Sequence, residues 1–203
     1  MSQQTALPLP SPAGGDWQPK LMPGPKPLLW FISLVAIGLS LFQLYSAGIE
    51  PLGLFYQRGI HLTLVLMLCF LIFGPIAGKK RGPLASIVDF VFFAGAVSSG
   101  FYLVWFLDDI IGRAGFWNDN DIIMAWVCTL TLLEASRRAV GGGLTVIGIF
   151  AILYALMGSR GPLAEFGGWL PGILEHRGYT LDRVGAQLFL GQEGIFGLPL
   201  GVA

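Results

Sequence analysis

From Pro27 to Tyr45 the chain runs through nineteen residues without a charge, PLLWFISLVAIGLSLFQLY. At 1.5 Å per residue a helix of that length reaches roughly 28 Å, about the thickness of a bilayer's hydrocarbon core. This run predicts a membrane-spanning helix, and the rest of the chain repeats the pattern. Gly59 to Ala77 holds one ionisable residue, His61, and is followed by Lys79, Lys80, Arg81, Gly82 and Pro83. Leu84 to Leu107 is interrupted by Asp89 alone and stops at Asp108 and Asp109. Two shorter apolar stretches, Asp121 to Ala135 and Gly141 to Met157, flank Ser136, Arg137 and Arg138, whose guanidinium groups are expected to snorkel toward headgroups.

Composition supports this reading. Over 203 residues, 54% are hydrophobic and only 12% charged, where a soluble domain carries about a quarter. Twelve basic and twelve acidic residues cancel, so no positive field points to nucleic acid. Cys69 and Cys128 both sit in apolar runs, which excludes a disulfide-stapled secreted domain and a cysteine-rich metal module. The expected fold class is all-α, a polytopic integral membrane helix bundle with about five transmembrane helices and the start of a sixth.

Four regions follow. Residues 1–26, with Pro8, Pro10, Pro12, Pro23 and Pro25, read as a disordered tail. No basic start, short apolar stretch and cleavage site precede Pro27, so the first helix is expected to stay in the mature protein. Residues 27–158 form the bundle, 159–188 a polar, Pro/Gly-rich connecting segment, and 189–203 the opening of another membrane helix. Lys20, Lys26, Lys79, Lys80, Arg81, Arg137 and Arg138 fall on one side. Arg58, Arg113, Arg160, Arg177 and Arg183 fall on the other, mostly among acids. The positive-inside rule then puts the N-terminus in the cytoplasm and the loop with Asp108, Asp109, Asp119 and Asp121 outside. Trp30, Tyr45, Tyr56, Tyr102 and Trp105 lie where an aromatic belt is expected.

Few residues offer chemistry. A carboxylate inside a spanning helix costs about 3 kcal/mol unless paired. Asp89 is therefore either a proton or ion relay or a partner of Lys79, Lys80 or Arg81, and the ion pair is the plainer reading. Glu134 precedes Arg137 and Arg138 by three and four residues, the spacing of helical ion pairs. Arg58 and His61, with Gln57, share one face at the start of the second helix. They suit an interfacial anchor better than a site for an anionic headgroup or a partner loop. The other histidine, His176, falls in the outward segment, which argues against a b-type haem. Gly95 with Ser99, Ala96 with Gly100, and Gly148 with Ala151 and Ala155 make small-residue faces for close helix packing and suggest a partner surface. No phosphate loop, metal-ligand cluster or nucleophile paired with a base occurs, so neither an enzyme nor an ATP-driven pump is expected.

The segment Leu170 to Ala203, LPGILEHRGYTLDRVGAQLFLGQEGIFGLPLGVA, resembles the junction in fused permeases of the tripartite ATP-independent periplasmic (TRAP) transporters, where a small four-helix subunit joins the large transport subunit. The matching positions are Pro171, His176, Arg177, Gly178, Tyr179 and Arg183, then Glu193, Gly194, Ile195, Phe196, Gly197, Pro199, Leu200 and Gly201. SLFQLY at Ser40 to Tyr45, QRGIHL at Gln57 to Leu62 and LEASRR at Leu133 to Arg138 are also similar to the small-subunit region. The resemblance implies a bacterial inner-membrane scaffold that braces a large permease subunit or domain, contacts membrane lipid and works with a periplasmic solute receptor. It implies uptake of small organic acids driven by an ion gradient. The coupling ion, sodium, and the solute are expected to bind the large subunit, since no position here matches a substrate or cation site; no cofactor is expected on this chain. Two rival readings are a membrane assembly or anchoring protein, and a small autonomous proton-coupled carrier using Asp89 and Glu134.

Overall fold

The computed structural model describes residues 26–49, 52–74, 82–113, 115–167, 172–191 and 194–196. Among them every regular element is helical. The elements are α1 (Lys26–Gly48), α2 (Leu54–Ile72), α3 (Pro83–Trp105), α4 (Leu107–Gly112), α5 (Asp119–Ala139), α6 (Gly142–Leu156), α7 (Ala164–Gly167), a 3-10 turn (Gly172–Leu174) and α8 (Leu181–Phe189). Residues 1–25 of the proposed tail and the basic residues Lys79, Lys80 and Arg81 lie outside the described residues, while Lys26, expected to close the tail, opens α1.

Among the described residues three helices are long and apolar enough to cross a bilayer: Pro27–Gly48, Leu54–Ile72 and Pro83–Trp105. This makes the chain a helical membrane protein with three candidate spans. α5 is equally long, but Asp119, Asp121, Glu134, Arg137 and Arg138 crowd its two ends. α6 has fifteen residues, about 22 Å, which is short for a full crossing.

Helix boundaries follow local chemistry. α2 starts at Leu54, earlier than its apolar run suggests, because Tyr56, Gln57 and Arg58 are good enough helix formers to extend it into the polar end. It stops where Phe73 turns extended, two residues before Pro75, whose ring disfavours helical backbone just ahead of it. Pro83 opens α3 at a position where its missing N–H costs nothing. Gly141 joins α5 to α6 at φ 112°, a conformation that a side chain would strain.

The bundle is built on α2, α3 and α5. Leu62, Leu66 and Phe70 of α2, Ala96 and Leu103 of α3, and Ala125, Cys128 and Ala135 of α5 form the core, together with Phe189 and Phe196. α1 packs on α2, and α6 and α8 on α5. Trp30, Leu34, Ile37, Leu41 and Leu44 of α1 stay exposed, as do Leu144, Ile147, Phe150 and Leu153 of α6, which suits contact with lipid.

Lipid tails are as apolar as leucine, so close packing and hydrogen bonds hold such helices together. The small residues supply the packing inside the chain. A Cβ at Gly100 would overlap the Thr63 side chain of α2, one at Gly95 would come within 3.0 Å of Thr131 Oγ1 in α5, and one at Gly148 within 2.9 Å of Leu133. The stripe that suggested an external partner surface is therefore largely consumed by the chain's own helices. Thr63 is held in place by donating to the Gly59 carbonyl at 2.7 Å, so it cannot swing away without losing that bond. Gly100→Ala is expected to force α2 and α3 apart and to cost about 1–3 kcal/mol. Thermal unfolding in detergent reads this loss, and Thr63→Ala in the same chain is expected to restore part of it.

Candidate functional site

Two polar centres occupy opposite ends of the bundle. The end that holds the start of α1 also holds the C-terminal ends of α2 and α5 and the start of α3; it is called the near end below.

At the near end, Arg138 is the hub. Its side chain is fully buried, and it donates from Nη1 to Asp89 Oδ1 at 2.5 Å and from Nε to Glu134 Oε1 at 2.7 Å. Nη1 also reaches the Phe73 carbonyl at 3.2 Å, one of the orphan acceptors at the end of α2. The guanidinium carbon lies 4.9 Å from the centre of the Phe70 ring and 5.8 Å from Phe92, and those two rings stack on each other. Arg138 thus joins α2, α3 and α5 through charge, hydrogen bonds and cation–π contact at one point. Arg137 closes the cluster from outside, donating to both Glu134 oxygens at 2.7 Å while 42% of its side chain stays exposed.

This geometry pairs Glu134 with both arginines as the helical spacing predicts. It corrects one other expectation. Arg138 does not snorkel, because three acceptors and two aromatic faces inside the bundle satisfy it better than the surface does. Asp89 is in an ion pair with Arg138, 49 residues away in sequence, and the partners first expected for it, Lys79, Lys80 and Arg81, lie outside the described residues. Among the described residues the cluster holds two carboxylates and two guanidinium groups. A carboxylate bonded to a buried guanidinium on another helix suits a clasp that holds α3 to α5.

The far end has a second knot that the sequence did not announce. Asp121, fully buried in the first turn of α5, accepts from Tyr102 Oη at 2.7 Å, from Arg113 Nη2 at 3.0 and 3.1 Å, and from the Asn118 amide at 2.8 Å. These bonds fix the whole α3–α5 connection, including α4. The only sequence signal for them was an Asn three residues before an Asp at a helix start, a capping pattern.

Arg58 and His61 also lie at the far end, and both point to other parts of the chain. His61 Nδ1 meets the side-chain amide of Gln43, joining α1 to α2. Arg58 Nη1 donates to the Phe196 carbonyl at 2.8 Å. Both tie their helix to other parts of the chain.

The segment with His176, Arg177, Gly178 and Tyr179 is a strap laid over the end of α6. The Arg177 carbonyl accepts from the Arg160 amide at 2.8 Å and the Ser159 hydroxyl at 3.2 Å, and the Tyr179 amide donates to the Ala155 carbonyl at 3.0 Å. Gly178 sits at φ 69° with its backbone pressed on Gly158, so neither position has room for a side chain. The His176 ring stacks on Tyr154 at 4.2 Å. Thr180 then caps α8, whose Val184, Gly185, Ala186 and Phe189 are buried. Gly194 turns the chain back so that the Ile195 amide reaches the Leu188 carbonyl at 2.6 Å and the Phe196 ring meets Phe189 edge-on. Residues 181–188, expected in the connecting segment, form α8 together with Phe189, and α8 packs on α5. Glu193, Gly197 and Pro199 lie outside the described residues.

Among the described residues no group of three His, Cys, Asp or Glu side chains could hold a metal ion. No family model matches the chain, and no curated protein or solved structure matches it.

Proposed function

We propose that this chain is the scaffold portion of a TRAP-type secondary transporter permease. It spans the bacterial inner membrane about five times with its N-terminus in the cytoplasm, and residues from 189 onward open the large-permease region. It braces the large subunit that moves small organic acids with an ion gradient, after a periplasmic receptor delivers them.

One observation carries this reading: three of the separate stretches that resemble the family meet in space, and the fourth ties helices together at the other end of the bundle. Gln43 of SLFQLY contacts His61 of QRGIHL, and Arg58 of QRGIHL binds the carbonyl of Phe196 in EGIF. LEASRR supplies Glu134, Arg137 and Arg138 to the near-end clasp. Motifs that tie helices to one another are what a static brace needs. The polar side chains described at the two ends are committed to such ties, which leaves little for an ion path of the chain's own.

Deleting the coding segment is expected to abolish organic-acid uptake in the host, and supplying the chain in trans is expected to restore it. Uptake should collapse with the ion gradient and survive ATP depletion. Unchanged uptake after deletion would leave an anchoring protein.

A further inference from the structure

The strap over the end of α6 is pinned at few points. From Ser159 to Arg177 no described residue is buried, and Ile173 is 97% exposed. The pins are the two hydrogen bonds to the Arg177 carbonyl, the Tyr179 amide on Ala155, the Tyr154 hydroxyl donating to the Leu174 carbonyl at 3.0 Å, and the crossing of Gly158 with Gly178. A segment with so few buried contacts opens at a lower cost than the bundle beneath it.

His176 works against those pins. Its ring stacks on Tyr154 with an interplanar angle of 24°, and both ring nitrogens are sealed from solvent. Among the described residues neither nitrogen has a hydrogen-bond partner. A neutral imidazole carries one donor and one acceptor, so the closed strap leaves two polar atoms unsatisfied, and the desolvation of each opposes closure. Water lies a short displacement away. Beside the ring is a cavity of about 240 Å³, bordered by His176 itself and by Met157, Ser159, Ala164, Gly167 and Glu175.

We infer that residues 172–179 form a flap poised to open, with the imidazole of His176 as the group that drives it off its seat. In the closed position the Tyr154 stack and the strap's hydrogen bonds outweigh the two unsatisfied nitrogens. Opening hydrates the ring, breaks the bond between the Tyr179 amide and the Ala155 carbonyl, and widens the cavity into a cleft at the far end of α6. Thr180 and α8 stay in place, because Val184, Gly185, Ala186 and Phe189 hold α8 to the bundle. The inference stands on this segment alone and does not depend on the transport reading.

Acylation by diethyl pyrocarbonate tests it in the full chain, because the reagent needs a ring nitrogen that solvent can reach. In folded protein in detergent His176 is expected to react several-fold more slowly than free imidazole, at a rate set by opening. Gly158→Ala, whose Cβ would overlap the Gly178 backbone, is expected to prop the flap open and raise that rate several-fold. A His176 that reacts only as the whole bundle unfolds would overturn the inference. Hydrogen exchange gives a readout that does not depend on the reagent. His176→Phe keeps a ring on Tyr154 and removes both nitrogens. It is expected to slow exchange of the Tyr179 amide several-fold and to leave unchanged the Leu190 amide, which donates to the Ala186 carbonyl at the end of α8. Unchanged exchange at Tyr179, or equal slowing of both amides, would overturn it as well.

Discussion

Arg138→Ala is expected to be among the most damaging single substitutions in the chain, at about 3–5 kcal/mol, the range for breaking a buried ion pair by removing one partner. The cost arises mainly in what stays behind. Asp89 is 7% exposed, and it would lose the guanidinium that lies 2.5 Å from it. Glu134 would lose one of its two arginines, and the Phe73 carbonyl at the end of α2 would lose a donor. Arg138→Lys should recover only part of this, because an ammonium can neither fork between Asp89 and Glu134 nor lay a planar face against the Phe70 and Phe92 rings. Arg137 supplies the control. It binds the same Glu134 but stays exposed, so Arg137→Ala should cost less than about 1 kcal/mol. Thermal unfolding of the three variants in detergent ranks them. A double-mutant cycle with Asp89→Ala should return a coupling energy well above that of a surface pair.

Asp121→Ala comes next, at about 3 kcal/mol, because it strips four hydrogen bonds from the far end at once and leaves Arg113 and Tyr102 without their carboxylate. Its effect should be local as well as global. The Asn118 amide would exchange with solvent faster, and the connection from α4 to α5 would become open to protease. Asp121→Asn retains shape and one acceptor, so it should fall between wild type and alanine. Loss of stability without loosening of this connection would mean that Asp121 acts through α5 alone.

The spans α1, α2 and α3 were legible in the sequence because apolar runs of nineteen residues or more with at most one carboxylate or one histidine have few other uses. Glu134 with Arg137 and Arg138 was legible because the pair is local. Asp89 with Arg138 was not: the partners sit on different helices, and nearer lysines and an arginine offered themselves in sequence. The direction of the small residues in α3 was hidden for a related reason. In a helix that is apolar all round, no contrast between faces tells Gly95 and Gly100, turned toward α5 and α2, from Ala94 and Ser98, which are exposed. The strap and α8 were masked by composition, since glycines that read as loop punctuation, Gly158, Gly178 and Gly185, are sites of close contact with other parts of the chain. Arg58 and His61 looked like anchors because the Phe196 carbonyl and the Gln43 amide are distant in sequence and uncharged, so nothing local advertised these two contacts.

Transport by the purified chain alone, in proteoliposomes carrying a sodium or proton gradient, tests most directly whether its charges are clasps. The expected result is no movement of organic acids and no gradient-driven proton flux above that of protein-free vesicles, with Asp89→Asn lowering stability and leaving that baseline untouched. Solute accumulation by the chain alone, abolished by Asp89→Asn in protein that remains folded, would contradict the account.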